Sequence, residues 1–190
     1  MNPENTKKLL EKYPEIFKLV TSPGNAPHYA ISLFIFEHDD GWYKIIDMLC
    51  AYIQSHVRSM RQQRLEALLM NRALSRAMKG DESTLNRLPQ WRRDQVLSNL
   101  EDLEPQCFPV PRKMNVIATQ VKEKYGALRF YVYGADEYVD GLIQMAEAMS
   151  MITCETCGAP GKERGGGWIR TLCDEHAKEQ GYSLEDQENG

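Results

Sequence analysis

The chain is 190 residues long, 42% hydrophobic and 26% charged, with a formal net charge of −4. That length and composition suit one good-sized folded domain, or a domain plus a small appendage, and argue against global disorder. The net negative charge argues against wholesale coating of DNA, which depends on neutralising many phosphates, although it is compatible with a local basic face.

The opening residues, Met1-Asn2-Pro3-Glu4-Asn5, have neither the basic patch nor the apolar stretch of a secretory leader. No later apolar run approaches the ~20 residues of a membrane span, so a cytoplasmic protein with no membrane partner is expected. Residues 6–12 read as a short helix interrupted by Pro14, with another turn over 15–20. Residues 22–27 carry turn chemistry, and 28–36 form a β-rich first strand. Four polar residues, Glu37 to Asp40, break that strand. Asp40 suits an N-cap, and Trp42, Ile45, Ile46, Leu49, Cys50 and Ile53 recur at helical spacing, predicting a helix towards Val57 or Met60.

From 58 to 79 the chain is basic: Arg58, Arg61, Arg64, Arg72, Arg76 and Lys79 face a single acid, Glu66. Leu65, Leu68, Leu69 and Leu74 supply an apolar stripe, and the pattern is that of a basic amphipathic helix. A second helical piece over about 90–103, then Pro105, Pro109 and Pro111, complete a predicted α-helical insertion over 58–111. Two strands follow, 116–125 and 127–133, joined close to Gly126. Leu128, Phe130 and Val132 alternate with Arg129, Tyr131 and Tyr133, and Ile117 and Val121 alternate with Ala118, Gln120 and Lys122. One face is therefore apolar and the other basic and aromatic. A helix over 136–151 presents Val139, Leu142, Ile143, Ala146 and Met149 inward.

Three of the five cysteines fall in the last forty residues, while Cys50 and Cys107 stand alone. In a reducing compartment lone cysteines are usually buried hydrophobes, so no disulfide is expected. Cys154-x2-Cys157 and Cys173-x2-His176, separated by fifteen residues, have the spacing of a four-ligand zinc site. Each short-spaced pair forms a pincer, and one tetrahedral ion joins them. Four good ligands close the shell and leave no position for water, so the zinc is read as structural rather than catalytic. A deaminase-like site would want His-x-Glu upstream of its cysteine pair, whereas Glu37 and His38 stand in the reverse order. Gly161 and Gly165-Gly166-Gly167 suit a short hairpin, and the second ligand pair suits the first turn of a helix. A knuckle, a hairpin and a helix in that order resembles the treble-clef zinc modules. The predicted fold class is thus α+β: a small antiparallel sheet with packed helices, an α-helical insertion and a C-terminal treble-clef-like zinc module. The domains run 1–57 with 112–152 (core), 58–111 (insertion) and 153–190 (zinc module with an acidic tail).

The segment 120–131 (Gln-Val-Lys-Glu-Lys-Tyr-Gly-Ala-Leu-Arg-Phe-Tyr), 145–150, Cys154-Glu-Thr-Cys-Gly158 and 168–176 resemble a family of small uncharacterised zinc-binding proteins of tailed bacteriophages and prophages. Asp40-Gly41-Trp42 and the helix behind it look similar too. The resemblance covers about 28–57 and 114–177 and leaves the basic insertion outside. It implies a zinc-binding α+β protein acting in the cytoplasm of an infected bacterium, and it implies no activity. His38 and Asp39 stand where that family commonly has a small residue or cysteine.

Three candidate sites follow. The outward face of the hairpin gathers Gln120, Lys122, Arg129, Tyr131 and Tyr133, cations and rings suited to a phosphate-bearing ligand or single-stranded nucleic acid. An ordinary solvated sheet face is the competing reading. The corner Glu37 to Trp42 could host a ligand, or Asp40 could simply cap a helix while Trp42 packs in the core. The basic helix could meet nucleic acid or an acidic host protein, pack on the domain, or form a homo-oligomer seam. None of the sequence motifs for a nucleophile elbow, a phosphate loop or a dinucleotide site is present. The leading expectation is a non-enzymatic phage accessory protein binding a host-derived target, in its sharper form a counter-defence protein sequestering a nucleotide immune signal. The alternatives are a nucleic-acid-binding zinc protein and a nucleotide-cleaving enzyme using Glu37, His38 or Asp40.

Overall fold

The structure, a computed structural model, describes residues 1–21, 36–102, 104–165 and 167–184. In chain order come α1 (Pro3–Lys12), α2 (Lys18–Thr21), β1 (Phe36–Glu37), a 3₁₀ turn (Asp40–Trp42), α3 (Tyr43–Ala77), a second 3₁₀ turn (Leu85–Arg87) and α4 (Gln90–Glu101). The strands β2 (Ile117–Lys124) and β3 (Ala127–Tyr133), α5 (Glu137–Ser150), β4 (Lys162–Arg164), β5 (Arg170–Leu172) and α6 (Asp174–Glu179) follow. The fold is α+β with a C-terminal Cys3His cluster, as the sequence predicts. The chain divides into two compact units, 1–55 with 115–190 and 56–114.

In the first unit the sheet has the order β1-β2-β3 and is mixed rather than wholly antiparallel: β1 pairs parallel with β2 and β2 antiparallel with β3. A parallel neighbour needs a long crossover, and the chain between Glu37 and Ile117 supplies one. Most of the predicted first strand, 28–35, lies outside the described residues. The β2–β3 turn is tight, with Tyr125 and Gly126 both at positive φ, 55° and 74°. Strict alternation fails on β2 because the register shifts between Ala118 and Gln120. A bulge there leaves Thr119 unpaired and puts Ala118 and Val121 together on the buried side, opposite Val132 and Phe130. Ile117 consequently shares the outer face with Gln120 and Lys122, the reverse of what the period-two pattern predicts.

Phe17 packs edge-on against Phe36 at 5.2 Å and Phe130 at 6.5 Å between centroids, joining the segment after α1 to the sheet. Lys12 and Tyr13 both bond Asp47 on α3, the Tyr13 hydroxyl at 2.7 Å. Helix α5 runs beside β3 and covers its free edge with side chains. Leu128 N–H donates to Ser150 Oγ at 2.8 Å, and Phe130 N–H to Glu147 Oε1 at 3.1 Å. An edge strand whose amides are already bonded is a poor template for further strand pairing.

In the second unit Met70, Ala73 and Leu74 of α3 pack with Leu85, Leu88 and Val96. Two asparagines hold the proline-bearing connector by the same device. Asn71 donates to Phe108 O (2.9 Å) and accepts from Phe108 N–H (2.7 Å), and Asn99 does likewise with Gln106 (2.7 and 2.9 Å). Proline removes backbone donors, so an extended connector needs such side-chain partners. The leucine stripe predicted on this helix is split: Leu74 is buried, whereas Leu65, Leu68 and Leu69 are exposed.

Candidate metal site and the corner beneath it

Two local turns bring the metal-ligating side chains together. The first is the knuckle 154–158, where Gly158 N–H donates to Cys154 O at 2.8 Å and Gly158 takes φ 79°. Only glycine adopts that conformation cheaply. The second is the start of α6, with Cys173 as N-cap residue and His176 in the first turn. The β4–β5 hairpin, paired from Lys162↔Leu172 to Arg164↔Arg170, connects them. Cys154, Cys157, Cys173 and His176 each offer one donor atom, and the four atoms lie within 4.8 Å of one another.

Cys157 Sγ is 3.9 Å from Cys173 Sγ, and His176 Nδ1 is 3.7 Å from Cys154 Sγ and 3.1 Å from Cys173 Sγ. A tetrahedral ion with metal–sulfur bonds of about 2.3 Å would set sulfurs roughly 3.8 Å apart, so the four donors fit one ion. His176 points Nδ1 into the cluster and carries Nε2 3.9 Å from Glu179 Oε2, a carboxylate behind the ligand. Charge also favours a cation. Burial pushes the Cys154 thiol up, but the amides of Cys173, Cys157 and Thr156 outweigh it and bring it down to about 7. Burial pushes Cys157 up to about 11, with the Cys154 sulfur adding to the rise. A cation placed among these sulfurs would favour their thiolate forms.

Beneath the knuckle lies the corner 37–42, and the structure uses almost every residue of it. Gly41 N–H donates to Glu155 O at 2.7 Å, and a Cβ at position 41 would stand 2.0 Å from Cys154 O. Trp42 is fully buried, with its indole N–H donating to Thr153 O at 2.9 Å. Asp39 meets Arg170, which reaches Asp39 Oδ2 at 2.5 Å, Glu155 Oε2 at 2.9 Å and Gln180 Oε1 at 2.7 Å. The Glu155 side chain is only 4% exposed, and burial raises its pKa despite Arg170. Asp40, expected to cap the helix, instead accepts from Asn2 N–H and from the side-chain amides of Asn2 and Asn5, at 2.8–3.1 Å. The 3₁₀ turn has Asp39 at its N-cap position without a side-chain capping bond.

His38 is 6% exposed, packed between Phe36 and Trp42 with ring centroids at 6.0 and 5.8 Å. Its Nδ1 lies 2.7 Å from Asp39 O, and because a carbonyl only accepts, Nδ1 carries the proton. Nε2 is buried without a partner. Burial pushes the imidazole down to about 4, against the Asp39 carbonyl, which favours the charged form. A histidine with a depressed folded pKa contributes stability above its unfolded value, near 6.5, and loses it as pH falls towards 4. We expect this group to account for about 3 kcal/mol of acid destabilisation over that window. An NMR titration should find the His38 ring neutral down to about pH 4; a midpoint near 6.5 would contradict this environment. The described residues of the corner thus make structural contacts, and His38 among them is buried.

The hairpin residues are placed as follows. Gln120 pairs across from Tyr131, Lys122 across from Arg129, and Tyr133 across from Ile117. Lys122 Nζ sits over the Tyr131 ring, 5.8 Å from its centroid, and Tyr131 and Tyr133 are exposed. Arg129 is drawn aside: its guanidinium donates to Leu128 O at 2.8 Å and pairs with Glu147 at 3.5 Å. Sequence reasoning missed the Arg170–Glu155–Asp39 cluster, whose members are up to 131 residues apart. It also missed Tyr125 and Trp168, both strongly exposed at the tip of the hairpin and on the β4–β5 loop. Two exposed aromatic rings flanked by glycines were the available hint. Among the described residues no helix is long and apolar enough to cross a membrane. No family model, curated protein or solved structure matches this chain.

Proposed function

We propose that this is a binding protein rather than a catalyst, stapled by one structural zinc ion, that captures a phosphate-bearing, nucleotide-type ligand on the β2–β3 hairpin. Zinc is the metal favoured by three thiolates and an imidazole in a closed tetrahedron. The observation that carries the ligand reading is the outer hairpin face, where the half-buried Lys122 sets its ammonium over the Tyr131 ring and the Tyr131 and Tyr133 rings stand exposed. Such a surface offers a counter-charge for phosphate and a ring for a base, and it needs no reacting group. In the setting that the phage resemblance implies, capture alone would be enough to silence a nucleotide immune signal.

Thermal melts against a panel of mono-, di- and oligonucleotides test this. A ligand at 100 times its Kd stabilises by about 2.7 kcal/mol, which for a chain of this size raises Tm by roughly 5–10 °C. A panel without any shift would remove the reading. A shift confined to long strands and steeply reduced by salt would favour the nucleic-acid-binding alternative.

A further inference from the structure

The β2–β3 turn and the β4–β5 loop enclose a cleft of about 470 Å³, lined by Lys122, Glu123, Lys124, Tyr125, Trp168 and Ile169 with Gly167. That volume lies within the ~300–1,000 Å³ usual for small-molecule sites. Its two aromatic side chains are unusual in complementary ways. Trp168 is 67% exposed, yet it is held at both ends. Its indole N–H donates to Glu123 Oε2 at 3.3 Å, and its carbonyl accepts from the Tyr182 hydroxyl at 3.0 Å. Glu123 is itself fixed, its Oε1 accepting from Gly126 N–H at 2.6 Å. A ring that is pinned but left uncovered forgoes the stability of burial while keeping one orientation.

Tyr125 is 70% exposed and adopts φ 55°. Left-handed backbone is costly for a bulky side chain and easy for asparagine or glycine, which such turns normally carry. Burial does little to offset that cost, because most of the ring stands in solvent. Backbone strain at an exposed residue beside a cleft is the kind that function maintains. The frame around the cleft is firm: Thr171 Oγ1 donates to Gly126 O at 2.6 Å, tying β5 to the hairpin tip. The cations are in place too. Lys124 Nζ lies 5.4 Å from the Tyr125 centroid, and Lys122 lines the opposite end of the same strand segment.

Resting on the reading above, we propose that this cleft is the ligand seat: a nucleobase stacks on Trp168 and Tyr125 while Lys122 and Lys124 hold its phosphate. The base and phosphate could belong to a free nucleotide or to a single-stranded end, which share this chemistry.

Intrinsic fluorescence of the full-length, metal-loaded protein tests it, with adenosine and uridine 5′-diphosphates and a short thymidine strand as probes. Saturable quenching is expected in the wild type. Trp168→Ala should weaken binding roughly 10-fold or more, as loss of a stacking ring implies, measured by calorimetry because the reporter is gone. Tyr125→Asn is the sharper variant: asparagine suits the turn, so Tm should hold or rise while affinity falls. A diphosphate that binds as tightly as the strand identifies a free nucleotide, and a strand that alone binds identifies an end; both support the seat. If a probe raises Tm but neither variant weakens it, the cleft is overturned while the nucleotide reading stands. If no probe binds the wild type at all, both fall.

Discussion

Cys154→Ser will release the metal and unfold residues 153–184 as a block, and the damage will spread to the corner 39–42. The module has few apolar contacts of its own: among the described residues its buried cluster is Cys154, Leu172 and Ala177, with Cys173 and Tyr182 beside it. A core that small contributes little against the chain entropy of a hairpin and a helix, and the proposed metal would supply the difference. Structural zinc binding is worth about 10–16 kcal/mol in finger peptides, and site assembly is inseparable from folding. The spread follows from shared backbone bonds. Gly41 N–H is bonded to Glu155 O, and Trp42 to Thr153 O, so a melted knuckle leaves both donors unmatched. Hydrogen exchange should therefore show lost protection at Gly41 as well as through the module, with β2 and β3 retained. Protection at Gly41 equal to the wild type would contradict the coupling.

Gly41→Ala will be strongly destabilising. The added carbon would lie 2.0 Å from Cys154 O, 2.6 Å from Glu155 O and 2.6 Å from Gly158 N. All three are backbone atoms of the knuckle, which cannot swing aside as a flexible side chain could. Ordinary overpacking costs about 1–3 kcal/mol, and this position should exceed that range because relief requires moving the metal ligands themselves. At about 2–4 °C per kcal/mol, Tm should fall by roughly 10 °C or more, and metal affinity should fall with it. Gly141→Ala is the control: it has open space around its Cβ and lies within α5, so it should be neutral or stabilising. Equal melts for the two variants would mean that the corner and the knuckle are not in contact.

What the sequence disclosed and what it hid follow from range. The four ligands come as two pairs spaced three residues apart, and local geometry alone makes each pair a pincer. The β2–β3 turn was equally local, announced by a single glycine between two alternating strands. The Thr119 bulge was hidden because one unpaired residue inverts the faces without altering composition. The direction of β1 was hidden because it depends on a crossover through α3, not on any residue of the strand. Asp39 gave no sign of its partner, since Arg170 lies 131 positions away. The leucines of α3 misled for another reason. A helix of 35 residues carries more than one apolar stripe, and spacing does not say which stripe finds a core. Leu74 did, with Met70 and Ala73, while Leu65, Leu68 and Leu69 remained outside.

The most direct test is native mass spectrometry of the purified full-length chain, before and after a chelator, with limited proteolysis of the same two samples. The account predicts one zinc ion per chain, its removal by the chelator, and a C-terminal segment that becomes protease-sensitive only once the metal is gone. A metal-free chain whose residues beyond Thr153 resist protease would contradict it.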